Sequence, residues 1–127
     1  MKKEETPQLT KKIEVGKFYL IHDGSKFGHP GYVMWKNDDK NRYLVVRFDS
    51  DKFGSVTKKS RGIRHITELL HPLDKTIACS YAKNRPLLCK RRDIGKELIG
   101  LSLHQDDYKI VERVAKADIQ YSPSFKR

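Results

Sequence analysis

From Gly16 onward the chain reads as short apolar runs cut by polar punctuation, the pattern of strands rather than of helices. Lys17 to His22 carries Phe18, Tyr19, Leu20 and Ile21 and runs into the turn-forming Asp23-Gly24-Ser25. Gly31 to Lys36 is a second strand, closed by the polar hairpin loop Asn37 to Asn41. Arg42 to Asp49 alternates most clearly. Leu44, Val46 and Phe48 fall on one face and Tyr43, Val45 and Arg47 on the other, which predicts one face in the core and one available. Ser50 to Ile63 is polar and holds a glycine, so it reads as a long basic loop or loose hairpin. Arg64 to Leu70 and Thr76 to Tyr81 are weaker strands, separated at Pro72, which has no N–H for a ladder.

Near the end the period changes. Ser102 with Gln105 three residues on fits a capping box, and Asp106 and Asp107 occupy the first turn. Lys109, Arg113 and Lys116 come later, as the helix dipole favours, and Leu103, Ile110, Val111 and Val114 recur at helical spacing. These residues predict a surface helix near 103–116 laid across a small sheet. The fold class expected is therefore mainly β (α+β), a small open barrel with long basic loops and a C-terminal helix.

A chain of 127 residues with 37% hydrophobic content can close one core, so a single domain over 13–120 is expected. A charged arm over 1–12 precedes it and a short tail over 121–127 follows. Order is expected to begin near Val15-Gly16. The sequence contains neither an 18-residue apolar run nor an apolar stretch behind Met1-Lys2-Lys3, which points to a cytoplasmic protein without a membrane partner. Cys79 and Cys89 lack the spacing of a zinc site, and both are expected to be buried as small hydrophobes.

Charge changes the picture most. The net charge is +11, and two windows carry nearly all of the excess. Lys52 to Arg64 holds Lys52, Lys58, Lys59, Arg61 and Arg64 with no acid; Lys83 to Lys96 holds Lys83, Arg85, Lys90, Arg91, Arg92 and Lys96 against Asp93 alone. A purely solubilising surface interleaves both signs, whereas dense positive clusters suit regularly spaced phosphates. An anionic membrane is the other electrostatic partner, but the expected amphipathic helix or lipidation signal beside the charge is missing from the sequence. Tyr81 stands just before the second window and Asn84 within it, beside the cations. Such a mixture fits single-stranded nucleic acid, with Lys83, Arg85, Lys90, Arg91 and Arg92 on phosphates and a base stacked on Tyr81. Inward packing of Tyr81 is the competing reading.

The order Val15-Gly16-Lys17-Phe18-Tyr19, then Gly28-His29-Pro30-Gly31-Tyr32-Val33-Met34, then Tyr43 to Ser50 resembles the first half of MazF/PemK-type toxins. The resemblance covers residues 15 to 50, and Ser80 to Lys96 has no counterpart in it. It implies an SH3-like barrel that forms a homodimer, cuts single-stranded RNA without a metal or cofactor, and is held inactive by an acidic antitoxin. It also implies a phosphoryl-holding hydroxyl at Ser50. This chain departs from the family where the family has Arg before Pro: here His29 precedes Pro30.

Metal-free cleavage needs a base for the 2′-hydroxyl, an acid for the leaving 5′-oxygen, and cations for the phosphoryl charge. His29 suits the first role, or is simply a loop histidine. Arg47 or Arg85 would supply the charge that the missing arginine supplied. Ser50 contacts the phosphate or merely completes a turn with Asp49 and Asp51. Lys58, Lys59, Arg61 and Arg64 would hold the strand. His65 and His71, six apart, share no assured face, and His104 sits at the helix start. The sequence holds no metal-nuclease signature, although Asp49, Asp51 and His29 could meet in space. If His29 marks a lost site, the same barrel is a non-enzymatic nucleic-acid-binding module. A protein that sets its charge against an acidic protein partner is the third reading.

Overall fold

The computed structural model describes residues 12–51, 66–74 and 79–119, with the backbone alone for 50, 51, 79 and 117–119. Strands β1 (Phe18–Ile21), β2 (His29–Asn37), β3 (Arg42–Asp51), β4 (Ile66–Glu68), β5 (Cys79–Lys83), β6 (Leu87–Cys89) and β7 (Ile94–Glu97) precede one helix, α1 (Gln105–Ile119). They form a seven-stranded antiparallel sheet in the order β4-β5-β3-β2-β1-β7, with β6 on β3. The sheet is not closed. No helix among the described residues is long and apolar enough to cross a membrane. The tail, Lys52 to Arg64, and all but the last residue of the expected arm lie outside the described residues.

β1, β2 and β3 follow the alternation in the sequence, and the β2–β3 hairpin closes through Asn41, whose φ of 56° is one that asparagine tolerates. β3 departs from expectation because both of its faces are buried. Leu44, Val46 and Phe48 join Phe18, Leu69, Leu73, Ala82, Val111 and Ala115 in a core between sheet and helix. Tyr43 and Val45, on the face expected to be available, join Tyr19, Ile21, Val33, Cys89, Ile94 and Ile13 in a second core. The cause is β6 and β7. They pair with β3 and β1 and bring Cys89 and Ile94 to that face, and Ile13 adds to the cover. Ile13 is buried, so ordered packing starts before Val15.

Neither β6 nor β7 was expected, because each is short and set among charges. The helix also starts later than its sequence suggested. Ser102 does not cap it; the Asp106 and Asp107 amides donate to His104 Nδ1 and the His104 carbonyl at 3.1 and 2.9 Å, which makes His104 the capping residue.

Candidate active site

The second core changes character at one end. Along β1 and its continuation the residues on that face are Tyr19, Ile21 and Asp23; along β2 they are Val33, Gly31 and His29; along β3 they are Val45, Arg47 and Asp49. Three apolar rows thus each end in a charged or titratable residue at the same edge. Gly28 lets the chain make this turn. Its φ is +71°, and a Cβ there would lie 2.6 Å from the Ile21 carbonyl oxygen. Gly31 is equally constrained, because a Cβ would stand 2.4 Å from side-chain carbons of both Ile21 and Val45.

Asp23 is the centre of the cluster, with its side chain 2% exposed. Oδ1 accepts the Ser25 hydroxyl at 2.6 Å and the Ser25 amide at 3.2 Å. Oδ2 accepts His29 Nδ1 at 2.7 Å and an Arg47 terminal nitrogen at 3.0 Å. Desolvation, the largest single influence, pushes this carboxyl upward, but the hydrogen bonds from Ser25, Arg47 and His29 together overcome it and hold the group well below the usual carboxylate range. Because a carboxylate only accepts, His29 carries a proton on Nδ1. Nε2 faces Asp49 Oδ1 at 3.3 Å, and Asp49 Oδ2 pairs with Lys83 Nζ at 3.4 Å. His29 keeps 22% of its side chain exposed, so the ring can meet a substrate.

The two carboxylates address opposite edges of one imidazole, so they do not converge on a common point where a metal ion could sit. The encounter of Asp49 with His29 that the sequence allowed does take place, with the Asp49 carboxylate facing Nε2 of the ring. Asp51 has no described side chain, and neither has Ser50, whose backbone pairs with Ser80 on β5.

The remaining sequence candidates separate. Arg47 is committed internally: beyond Asp23, its second terminal nitrogen donates to the Arg85 carbonyl at 3.3 Å. Its two terminal nitrogens thus tie Asp23 to the β5–β6 turn. Lys83 lies at the site and Arg85 is exposed beside it. Tyr81 lies opposite Asp49 in the register, but it is 1% exposed and offers no face to a base, which corrects the stacking role expected of it. Cys89, just before Lys90, pairs with Tyr43, six residues along β3 from Asp49, roughly 20 Å for a strand. Lys90 and Arg91 therefore sit toward the hairpin end. There the Arg91 amide donates to Asn41 Oδ1 at 2.7 Å and its guanidinium to the Ile94 carbonyl at 3.0 Å, a structural use of that side chain. Arg92 is exposed on the turn before β7. Lys58, Lys59, Arg61 and Arg64 lie outside the described residues.

Asp23 is the member of this candidate site that sequence reasoning missed. Its signal was present: it continues the period of Tyr19 and Ile21, yet Asp-Gly-Ser reads first as a turn, and it is a turn as well. Neither a protein-family model nor a curated protein matches the chain.

Proposed function

We propose that the protein is an endoribonuclease that cleaves single-stranded RNA without a metal ion, the toxin of a MazF/PemK-like toxin–antitoxin pair. The observation that carries this reading is the part-exposed His29 ring, held at Nδ1 by the buried Asp23. A carboxylate on one nitrogen fixes the tautomer and leaves the other to exchange protons, the division of labour that general acid–base catalysis requires. The substrate's 2′-hydroxyl takes the place of Asp49 at Nε2 and gives up its proton there. Its oxygen attacks the adjacent phosphorus, the bond to the 5′-oxygen breaks, and that oxygen leaves as a hydroxyl once protonated by the imidazolium or by water. Lys83, released from Asp49, and the exposed Arg85 balance the phosphoryl charge. Ser50 at the end of β3 is the proposed hydroxyl contact. The reading brings with it a homodimer and an acidic antitoxin segment over the basic face.

Incubation with an unstructured RNA in EDTA, followed by mapping of the new ends, tests this. Discrete 2′,3′-cyclic phosphate and 5′-hydroxyl ends are expected. His29→Ala should lower cleavage by roughly 10²–10⁴-fold with RNA affinity nearly unchanged. Unaltered cleavage by that variant removes His29 from the mechanism. The exposed Arg85, Lys90 and Arg92 equally favour a second reading, a nucleic-acid-binding module without activity. Intact RNA bound in a strongly salt-dependent way would decide for it.

A further inference from the structure

Away from His29, the loop after β4 meets the start of α1 and brings together two histidines that lie 33 residues apart in sequence. The His71 and His104 rings stack with centroids 3.8 Å apart and planes 20° from parallel. Asp106 Oδ2 lies 3.4 Å from His71 Nε2 and 3.4 Å from His104 Nδ1. One ligand atom from each of the three side chains falls within 4.8 Å of the others, and no other such group of His, Cys, Asp or Glu occurs among the described residues.

The backbone beneath this cluster is fixed by groups that are not part of it. Asp107 is 0% exposed, and its two carboxylate oxygens accept the Leu70 amide at 2.7 Å and the His71 amide at 2.9 Å. Leu69 donates to the Ser80 carbonyl at 2.9 Å, and the Leu73 amide donates to Ser80 Oγ at 3.0 Å. The loop that carries His71 is thus tied to the helix that carries His104 and Asp106 before any ligand arrives. His104 and Asp106 are exposed and His71 is half-buried, which gives an ion an entry path and leaves room for water ligands.

The geometry points to a binding site for a divalent transition-metal ion, zinc as the probe, formed by His71, His104 and Asp106 and completed by water. Two neutral imidazoles with one carboxylate are donors of borderline softness, which suit zinc, nickel or copper and disfavour calcium or magnesium. Asp106 supplies the negative charge that offsets the positive end of the helix dipole. Binding at His104 Nδ1 takes the lone pair that now receives the Asp106 amide, so loading the site alters the first turn of α1 as well as the two rings. The role is a clasp between the β4–β5 loop and the helix, independent of the chemistry at His29.

Calorimetric titration of the full chain with zinc, with amide and imidazole resonances followed in parallel, tests the site. One zinc per chain is expected, with shifts concentrated at His71, His104 and the Asp106 amide. His71→Ala and Asp106→Asn should each weaken binding by at least ~10-fold, since removing one of three protein ligands is costly. His104→Asn serves where His104→Ala unfolds the helix start, because asparagine caps well without offering an imidazole; it should weaken binding to the same degree. His22→Ala, in an exposed histidine outside the cluster, should leave it unchanged. No uptake by the unaltered protein at saturating zinc, or full affinity in His71→Ala or His104→Asn, overturns the site.

Discussion

At the scale of single residues, the fate of His29 depends on Asp23. Replacing Asp23 with Asn keeps the shape but places an amide where Arg47 and His29 both donate. A cost of roughly 2–4 kcal/mol in unfolding free energy is expected, because a part-buried guanidinium loses its counter-charge. RNA cleavage should fall along with it, mainly in kcat, since the ring loses its fixed tautomer. The pH dependence has a definite sign. A carboxyl held below its unfolded value contributes stability that is full above the ordinary carboxylate range, and that stability is lost as pH falls through this range toward the folded value. The gap between wild type and Asp23→Asn in denaturant titrations should therefore narrow below about pH 4. A gap independent of pH would mean that Asp23 acts through shape alone. Of this cluster, His29, Arg47 and Lys83 were legible in the sequence because their types suit phosphate chemistry. Asp23 and the commitment of Arg47 to it were not, since pairing across three strands depends on register, which a period-2 pattern leaves open until the partners are known.

At the scale of elements, β1, β2, β3 and the helix were legible because each is long enough, or periodic enough, to declare itself. β6 and β7 were not: three or four residues flanked by lysines and arginines carry too little pattern, and partners on β3 and β1 decide their state. The helix start shows another limit. Ser102 and Gln105 have the spacing of a capping box, but Ser102 instead donates its amide to the Leu73 carbonyl at 3.3 Å, and the helix begins after His104. Tertiary contact with the β4–β5 loop prevails over a local motif. Asp107 is the residue through which that contact acts. Asp107→Asn would set an amide N–H₂ against one of the two backbone amides it now receives, at an expected cost of about 2–3 kcal/mol. Hydrogen exchange checks this: the Leu70 and His71 amides should lose protection well beyond any change in β2.

At the scale of the whole molecule, one sheet is packed on both faces, which explains how a chain with 34% charged residues still buries its central strands. Cys89 reports on the second core. Burial, with Asp93 nearby, pushes its thiol up to about 12. In a Cys79→Ser background, thiol-modifying reagents should therefore react with Cys89 only as fast as the protein opens. Rapid alkylation under native conditions would show that the second core is loose. β3 is a wall of both cores at once, with Val45 facing one and Val46 the other. Neither half can come apart while the other keeps its wall. The two cores should melt together in a single calorimetric transition, and Val33→Ala on one side and Val111→Ala on the other, each costing roughly 1–3 kcal/mol, should displace that one transition without splitting it.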